Sequence, residues 1–536
     1  MQKKLRALTT INSLIILTFI VGNVRAQVCT GDYIIDDIDT SKDITALSGC
    51  KEITGSLTIE GTSLTNLNRL KKLTSVGENL DIILNESLTS ISALSSITSV
   101  GGSLRIGDNP VLTNLSGLDG ISSVGESLLI ISNESLNSIS ALSSITSVGE
   151  SLAISFNDAL TSLSGLENIT SIGNALRIES NPVLTNLNGL DSITSVVESV
   201  DVSHNYILTS LIGLNNLTSV GHLNIVNNSS LTSLFGLNSL TTLGYLEIWN
   251  NDALTSLSGL ENLTSVSGNL FFNSNDALTS MSGLENLSTV GGCLWINYSI
   301  SLTSLSGLEN LTSVGDYLSI KTTPITSLSG LNSLTTVSGD LRIINNHFLT
   351  SLNGLDNFIT VGGSLDISNN DTLTSLCGLY NMYLVGTTLE IFDNQELSMD
   401  TAYALETHLR YIFGFYGTAE IHSNNGSGLV TCDFDNDTIT DVIDNCPSIC
   451  NPYQFDTDED NIGDACDATP GCGGYGQPAC EISCDIDSDG IFNYEDNCPY
   501  ICNTQQLDAD GDSTGDVCDE IPGCGGCGEI ACELEC

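Results

Sequence analysis

The sequence predicts a mainly β solenoid, because one short motif returns along most of the chain at a constant interval. The motif is a leucine (once a valine), a variable residue and a second apolar residue, and successive copies start 23 or 24 residues apart. A fixed period in this range is typical of proteins built from stacked coils. The copies begin at Leu57, Leu80, Leu104, Leu128, Leu152, Leu176, Val200, Leu223, Leu246, Leu270, Leu294, Leu318, Leu341, Leu365 and Leu389. We therefore expect a leucine-rich solenoid of about 16 coils.

Each coil consists of short segments that alternate with corners. The motif segment, such as Leu246–Trp249, alternates apolar and polar residues, which predicts a short strand with one buried face. Glycine follows most of the valines that precede the motif, and it recurs in an L-x-G-L step, where the chain is expected to turn. One coil cannot bury its own leucines, so equivalent strands are expected to stack about 4.8 Å apart.

An asparagine recurs five residues after the start of most motif copies. Asn tolerates left-handed backbone, and its amide both donates and accepts hydrogen bonds. We expect a structural ladder at one corner; a polar row that binds a ligand is the alternative. Ser299 and Thr323 interrupt the row. Its members are Asn85, Asn109, Asn133, Asn157, Asn181, Asn205, Asn228, Asn251, Asn275, Asn346, Asn370 and Asn394.

The first residues and the charge indicate export. Residues 1–26 have a basic start, an apolar run from Ile11 to Gly22 and a small-residue cleavage site at Ala26, which is the pattern of a secretory signal peptide. The apolar run is too short to span a membrane. With 14 Lys and Arg against 64 Asp and Glu, the net charge of −50 argues against nucleic acid and anionic membranes as partners. We expect a secreted or extracellular protein, with possible cell-surface association.

Residues 27–56 depart from the repeat and are expected to cap the first coil. Export favours disulfide formation among the 18 cysteines, and we predict a bridge between Cys29 and Cys50 within this cap. The segment from Cys50 to Ile59 resembles the C-x-x-I-x-G-x-L-x-I opening of receptor L-domains. The resemblance implies a right-handed β-helix over residues 57–428, although receptor L-domains have far fewer coils.

The repeat ends after Asn394, where a helix is predicted near residues 399–413. Ala402, Leu405, Leu409 and Ile412 have helical spacing, and Ser398 stands at the N-cap position. We expect this helix to close the far end of the solenoid; a partner-binding amphipathic helix is the alternative. A last strand at Ala419–Ile421, followed by Asn424, would complete the final coil. Cys293 and Cys377 stand alone and are expected to be unpaired buried side chains.

Residues 429–536 differ sharply in composition and are expected to bind several Ca²⁺ ions. Cysteines and aspartates recur there in two copies that are 52 residues apart, and no Lys or Arg is present after Cys432. So few apolar residues cannot form a core, and D-x-D-x-D spacings supply the clustered oxygen ligands that Ca²⁺ prefers. The predicted ligands are Asp433, Asp435, Asp437, Asp441, Asp444, Asp456, Asp458, Asp460, Asp464, Asp485, Asp487, Asp489, Asn493, Asp496, Asp508, Asp510, Asp512 and Asp516.

The same region resembles thrombospondin type 3 repeats. The matching motifs are Asp444-Asn-Cys-Pro447, Asn451-Pro-x-Gln454 and Gly463-Asp-x-Cys-Asp467, and the second copy repeats the first and third of them at Asp496–Pro499 and Gly515–Asp519. The resemblance implies two calcium-organised units that contain little helix or strand. The additional Cys450 and Cys502 depart from the pattern and leave the disulfide connectivity open.

The functional prediction is a non-enzymatic exported protein whose solenoid recognises a protein or glycan and whose calcium-binding region acts as a stalk. The sequence contains no phosphate loop and no arrangement typical of a nucleophile with its base. Aromatic residues in four consecutive coils would favour binding if they form an exposed patch: Tyr245, Trp249, Phe271, Phe272, Trp295, Tyr298 and Tyr317. A structural spacer is the alternative.

Ice binding is a minor alternative, which would use a flat row of threonine hydroxyls. The row consists of Thr232, Thr255, Thr279, Thr303, Thr326 and Thr350.

Overall fold

The structure is a computed structural model that describes residues 27–38, 40–411, 415–427, 445, 454–456 and 463. The predicted signal peptide and most of the cysteine-rich region lie outside the described residues. The chain divides into two compact units, residues 1–173 and residues 174–536.

The first unit is a stack of coils that carry two parallel series of strands. Motif strands pair in parallel and in register, so that Leu57 lies opposite Leu80 and Ile59 opposite Ile82. Its strands are β1 (Val28–Cys29), β2 (Tyr33–Ile35), β3 (Glu52–Ile53), β4 (Leu57–Glu60), β5 (Ser75–Val76), β6 (Leu80–Ile83), β7 (Ser99–Val100), β8 (Leu104–Gly107), β9 (Ser123–Val124), β10 (Leu128–Ile131), β11 (Ser147–Val148), β12 (Leu152–Ser155) and β13 (Ser171–Ile172). Helix α1 spans Thr40–Leu47, and 3₁₀ helices span Asn68–Leu70, Ser92–Leu94 and Ser140–Leu142.

The second unit repeats the same coil. Its strands are β14 (Ala175–Glu179), β15 (Ser195–Ser203), β16 (Ser219–Val226), β17 (Thr242–Trp249), β18 (Ser265–Val266), β19 (Leu270–Asn273), β20 (Thr289–Val290), β21 (Leu294–Asn297), β22 (Ser313–Val314), β23 (Leu318–Lys321), β24 (Thr336–Val337), β25 (Leu341–Ile344), β26 (Thr360–Val361), β27 (Leu365–Ser368), β28 (Leu384–Val385), β29 (Thr388–Phe392) and β30 (Thr418–His422). Helix α2 spans Met399–Tyr411, and a 3₁₀ helix spans Cys377–Leu379. In β15, β16 and β17, the short strand and the motif strand are continuous.

The leucines and isoleucines of the motif strands form the core of each unit. In β17, for example, Leu246 and Ile248 are fully buried, whereas Glu247 between them is partly exposed. The burial alternates because successive side chains of a strand point to opposite faces of the sheet, so every second one lies on the outer face. The predicted mainly β solenoid with little helix is confirmed.

The glycine of the L-x-G-L step is required by the close approach of successive coils. Gly259 has a φ of +118°, and a Cβ at this position would collide with the carbonyl group of Leu234 in the preceding coil. Coils that carry S-A-L in place of this glycine step form a 3₁₀ helix, as at Ser92–Leu94, and so does Cys377–Leu379, where the glycine is kept. The predicted corner is confirmed, and it is formed by two different backbone conformations.

The left-handed residue at the other corner is not the recurrent asparagine but the residue before it. Leu84, Phe156 and Tyr298 have φ values of 59°, 57° and 57°, and each stands immediately before a ladder position. The asparagine therefore serves through its side-chain hydrogen bonds. The expectation that it is needed for its tolerance of left-handed backbone is wrong.

The asparagine side chains form buried hydrogen-bonded ladders in both units. Asn251 Nδ2 donates to the carbonyl oxygens of Ile225 (2.9 Å) and Trp249 (3.0 Å). Asn251 Oδ1 accepts from the backbone N–H of Asn228 at 3.1 Å. Ser299 and Thr323 occupy the same position with hydroxyl groups, and Thr323 Oγ1 donates to Asn346 Oδ1 at 2.8 Å. Because the twelve asparagines are fully buried, the row is structural and is not accessible to a ligand.

The N-terminal cap contains the predicted disulfide, which joins Cys29 to Cys50. Strands β1 and β2 pair in parallel with β3 and β4, so the cap continues the coil pattern. Helix α1, which was not predicted from the sequence, lies between them and buries Ile44 and Leu47. Ile44 and Leu47 are three positions apart, a spacing typical of one helix face, and this spacing could have predicted the helix.

Helix α2 confirms the helix that the sequence predicts after the last repeat. Ser398 Oγ accepts a hydrogen bond of 3.0 Å from the backbone N–H of Thr401, as expected of an N-cap residue. Ala402, Leu405 and Leu409 are fully buried. Ile412 lies outside the described residues. Strand β30 pairs in parallel with β29, as predicted for a final coil.

The two isolated cysteines of the solenoid have different states. Cys293 is buried and free, as predicted. Cys377 is disulfide-bonded, so the prediction of an unpaired thiol is wrong for this residue. The prediction rested on the absence of a cysteine at the equivalent position of a neighbouring coil. A disulfide partner does not need to occupy an equivalent position of the repeat.

Candidate aromatic binding face

The outer face of the motif strands in the second unit carries a row of aromatic rings in contact. The His222 and Tyr245 ring centroids are 5.5 Å apart, and those of Tyr245 and Phe271 are 5.4 Å apart in an edge-to-face arrangement. Phe271 and Trp295 stack with centroids 4.3 Å apart and an interplanar angle of 23°. We call these four residues, together with Tyr317, the aromatic face.

Strand register explains two of the three ring contacts. Phe271 lies directly opposite Trp295 in the pairing of β19 with β21, and His222 lies opposite Tyr245 in that of β16 with β17. A residue at a fixed place in the repeat is therefore brought about 4.8 Å from its counterpart in the next coil. Register thus accounts for the His222–Tyr245 and Phe271–Trp295 contacts. Tyr245 and Phe271 occupy different places in the repeat, since Glu247 lies opposite Phe271, and their rings meet diagonally across β17 and β19.

The structure separates the predicted aromatic residues into core and surface. Phe272 points inward and is fully buried, as expected from the sequence. Phe271 is on the outer face but only 8% exposed, because its neighbours in the stack cover it. Trp249 and Trp295 are half-buried. Tyr298 and Tyr317 are 42% and 37% exposed.

Carboxylates border the stack at one end. Glu247 lies one strand before Phe271, and burial together with the Asp201 charge raises its pKa above the ordinary value. Burial, followed by the charges of Glu247 and Cys293, raises the pKa of Tyr245 to about 12. Asp201 Oδ1 is buried and has no hydrogen-bond partner among the described residues. This end of the face disfavours additional negative charge.

Two cationic side chains lie at the other end and contact aromatic rings. Lys321 Nζ is 5.6 Å from the centre of the Tyr298 ring, and Arg342 Cζ is 5.4 Å from the centre of the Tyr317 ring. Arg342 Nη2 also forms an ion pair of 2.8 Å with Asp340 Oδ2. The rings were predicted from the sequence, but the two cations were not. Residues 174–427 contain only four Lys or Arg, so the proximity of these two in successive motif strands was the available signal.

Three members of the threonine row considered for ice binding use their hydroxyl protons within the solenoid. Thr232, Thr255 and Thr350 each donate from Oγ1 to a backbone carbonyl of the preceding coil, at 3.4, 3.2 and 3.2 Å. These three hydroxyl groups can accept hydrogen bonds from water, but their protons are not available to donate to it.

The predicted calcium ligands lie outside the described residues, with the single exception of Asp456, which is partly buried. The residues that the structure describes contain no group of three or more His, Cys, Asp or Glu side chains that could hold a metal ion. Two motif residues beside the predicted ligands are in contact. The backbone N–H of Asn445 donates to Gln454 Oε1 at 2.6 Å, and Asn445 Nδ2 donates to the Gln454 carbonyl at 3.0 Å.

Within the described ranges, no helix has the length and apolar character needed to cross a membrane.

Comparisons with known proteins identify the cysteine-rich region. The profile of the thrombospondin type 3 repeat matches residues 431–454 and 478–506, which confirms the resemblance noted in the sequence. Over 81 residues the chain is 46% identical to thrombospondin-2 of Mus musculus, a stretch that covers 15% of this chain and only 6% of that protein.

Solved structures with similarity to the chain include two proteins of Listeria monocytogenes. An internalin (inlF) is 16% identical, with 73% of this chain and 85% of that chain covered and a TM-score of 0.26. The functional domain of InlJ is also 16% identical, with 60% and 75% covered and a TM-score of 0.27.

Proposed function

We propose that the protein is a non-enzymatic, exported recognition protein. Its aromatic face binds a protein or glycan ligand, and its cysteine-rich region is a calcium-binding stalk. The observation that carries the recognition role is the ring stack from His222 to Trp295 on an outer strand face. A solenoid needs inward leucines to fold, but it does not need outward aromatic rings.

The composition of the face supports a binding role. Tyrosine, tryptophan and arginine are enriched where proteins bind partners, because they offer a large contact area and a polar group at one end. Tyr317, Trp295 and Arg342 lie in successive coils, and each is at least partly exposed. The stacked rings hold one another in place, so little side-chain entropy remains to be lost on binding.

The calcium-binding role rests on the chemistry of the donor set and on the family match. Asp485, Asp487 and Asp489, followed by Asn493 and Asp496, supply only oxygen atoms, which suits Ca²⁺. The corresponding residues of the other three motifs would hold further ions. Bound Ca²⁺ would neutralise a region that has many carboxylates and no Lys or Arg after Cys432.

The calcium-binding role is tested by calorimetric titration of the full chain after removal of divalent ions. We expect saturable binding of several Ca²⁺ ions and weaker or fewer sites in Asp487→Asn. Asp252→Asn, in the solenoid, is the matched control and should titrate as the wild type does. Absence of binding would contradict this role.

The recognition role is tested by probing arrays of extracellular proteins and of glycans with the full chain. We expect specific signals that Trp295→Ala removes and that Phe235→Ala retains; Phe235 is 49% exposed and lies outside the aromatic face. Equal signals from both variants would contradict the proposed face. Absence of any signal would favour the structural spacer instead. Hydrolysis of an array ligand would contradict the non-enzymatic role.

A further inference from the structure

The column of outward side chains that contains Phe271 and Trp295 has one small residue between two flat groups. Along the outer face, Phe271 lies opposite Trp295, Trp295 opposite Ser319, and Ser319 opposite Arg342. Phe271 and Trp295 fill their positions with stacked rings. Ser319 leaves the next position without a ring, so one side of the Trp295 indole faces a notch with Ser319 at its base.

The width of this notch matches one ring. Neighbouring strands are about 4.8 Å apart, so Trp295 and Arg342, two strands apart, are separated by about 9.6 Å at the backbone. A flat group in van der Waals contact needs about 3.5–4.0 Å on each side. One ring layer of a ligand therefore fits above Ser319, between the strand positions of Trp295 and Arg342, in the place that a third aromatic side chain would occupy.

The edges of the notch carry both hydrogen-bond donors and acceptors. Tyr317 stands two residues before Ser319 on one side, and the Arg342 guanidinium group lies over its ring. Lys321 stands two residues after Ser319 on the other side. Asp340 Oδ2 provides an acceptor, 2.8 Å from Arg342 Nη2. A ligand ring that carries hydroxyl groups can donate to and accept from these side chains, whereas the edge of an aromatic ligand ring cannot do both.

The local charge favours a neutral ligand. Asp340 pairs with Arg342, and Asp366 lies opposite Arg342 on the next strand, so the positive charge of the guanidinium group is already compensated. Beyond Asp366, Glu390 continues the same column. With a net charge of −50 on the chain, an anionic ligand would meet repulsion.

We infer that the Ser319 notch binds one ring of a neutral saccharide, which stacks on the exposed side of Trp295. The inference rests on the proposed function and narrows its ligand to a neutral glycan. The C–H face of the sugar ring contacts the indole, and its hydroxyl groups reach Tyr317, Arg342, Asp340 and Lys321.

The chain offers a direct probe, because Trp249 and Trp295 are its only two tryptophans. Trp249 Nε1 has no hydrogen-bond partner in the described part of the chain, so Trp249→Phe removes no hydrogen bond there. The full-length Trp249→Phe protein is titrated with cellohexaose, chitohexaose, mannohexaose and laminarihexaose. We expect a saturable change in Trp295 fluorescence, with reduced quenching by acrylamide, for at least one of them.

Ser319→Tyr, which fills the notch, should weaken binding by at least about tenfold. Thr58→Tyr, at the equivalent outward position of β4 and outside the aromatic face, is the matched control and should bind as the parent does. The inference is overturned if no saccharide changes the fluorescence, if Ser319→Tyr binds as the parent does, or if an anionic hexaguluronate binds more tightly than every neutral sugar. An array ligand that is a protein and depends on Trp295, with no saccharide bound, would overturn the inference and leave the proposed function intact.

Discussion

Asn251 donates a hydrogen bond of 2.9 Å from Nδ2 to the carbonyl oxygen of Ile225, a residue of the preceding coil. Its Oδ1 accepts from the backbone N–H of Asn228 in the same preceding coil. One buried side chain thus satisfies donors and acceptors of a corner that water does not reach.

Asn251→Ala should lower the free energy of unfolding by about 3 kcal/mol, because it removes the acceptor of the buried Asn228 N–H and the amide donor to the Ile225 and Trp249 carbonyls. Denaturant unfolding followed by circular dichroism measures this change. Asn262→Ala is the matched control, since Asn262 is exposed and donates one hydrogen bond of 2.7 Å to the Asn238 carbonyl. The control should cost less than about 1 kcal/mol. Equal costs would contradict the structural role of the buried ladder.

Much of the coil was predictable because its causes are local and repeated. The alternation in Leu246–Trp249 reflects the two-residue side-chain period of a strand, and Gly259 reflects a tight corner. Both patterns can be recognised in the sequence. The left-handed residue before each ladder asparagine was not predictable, since Leu84 and Phe156 carry no preference for that conformation. They adopt it because the ladder holds the next residue in place.

The aromatic face was predictable only as a set of rings. Register brings Phe271 onto Trp295, and this could be derived from the repeat period. The notch at Ser319 depends on a residue with no aromatic signal of its own and on the lean of Arg342 toward Tyr317, which is a property of side-chain geometry. The state of Cys377 was missed because no cysteine occupies the equivalent position of a neighbouring coil, so the repeat gave no sign of a disulfide.

Gly259→Ala should destabilise the solenoid by about 3 kcal/mol, because a Cβ would collide with the Leu234 carbonyl and the φ of +118° is unfavourable for alanine. Thermal unfolding measures the loss. Gly61→Ala is the control: φ is +60° there and no atom lies within 4 Å of the position that the alanine methyl group would take, so about 1 kcal/mol is expected. A cost at Gly259 no larger than that at Gly61 would refute the packing argument.

His408 should make the protein less stable as the pH falls below about 6.5. Burial lowers the pKa of His408 in the folded chain, although its hydrogen bond to the Tyr380 carbonyl acts in the opposite direction. The unfolded chain therefore takes up this proton first, and stability declines until the pH reaches the lower, folded pKa. Melting temperatures of the wild type and of His408→Gln, compared between pH 7.5 and 5, measure the effect. The variant should lose less stability; an equal loss in both proteins would show that His408 does not contribute.

The cysteine count predicts more than one thiol without an intrachain partner. Cys293 is free, and the chain has 18 cysteines, so the 17 others cannot all pair with one another. Thiol titration of the denatured, unreduced protein should give at least two thiols per chain, or one thiol together with a disulfide-linked dimer. Cys293→Ser should lower the count by one. A monomer without any reactive thiol would contradict the free state of Cys293.

Oxidative footprinting of the full chain tests whether ligands bind where Phe271 stacks on Trp295. Hydroxyl radicals modify exposed aromatic side chains, and mass spectrometry measures the rate at each residue with and without a ligand found on the arrays. We predict that the ligand slows modification of Trp295 and Tyr317 severalfold and leaves Phe235 and Phe348, which are exposed outside the face, unchanged. Unchanged rates at Trp295 and Tyr317, with protection elsewhere on the chain, would show that the ligand binds outside the aromatic face.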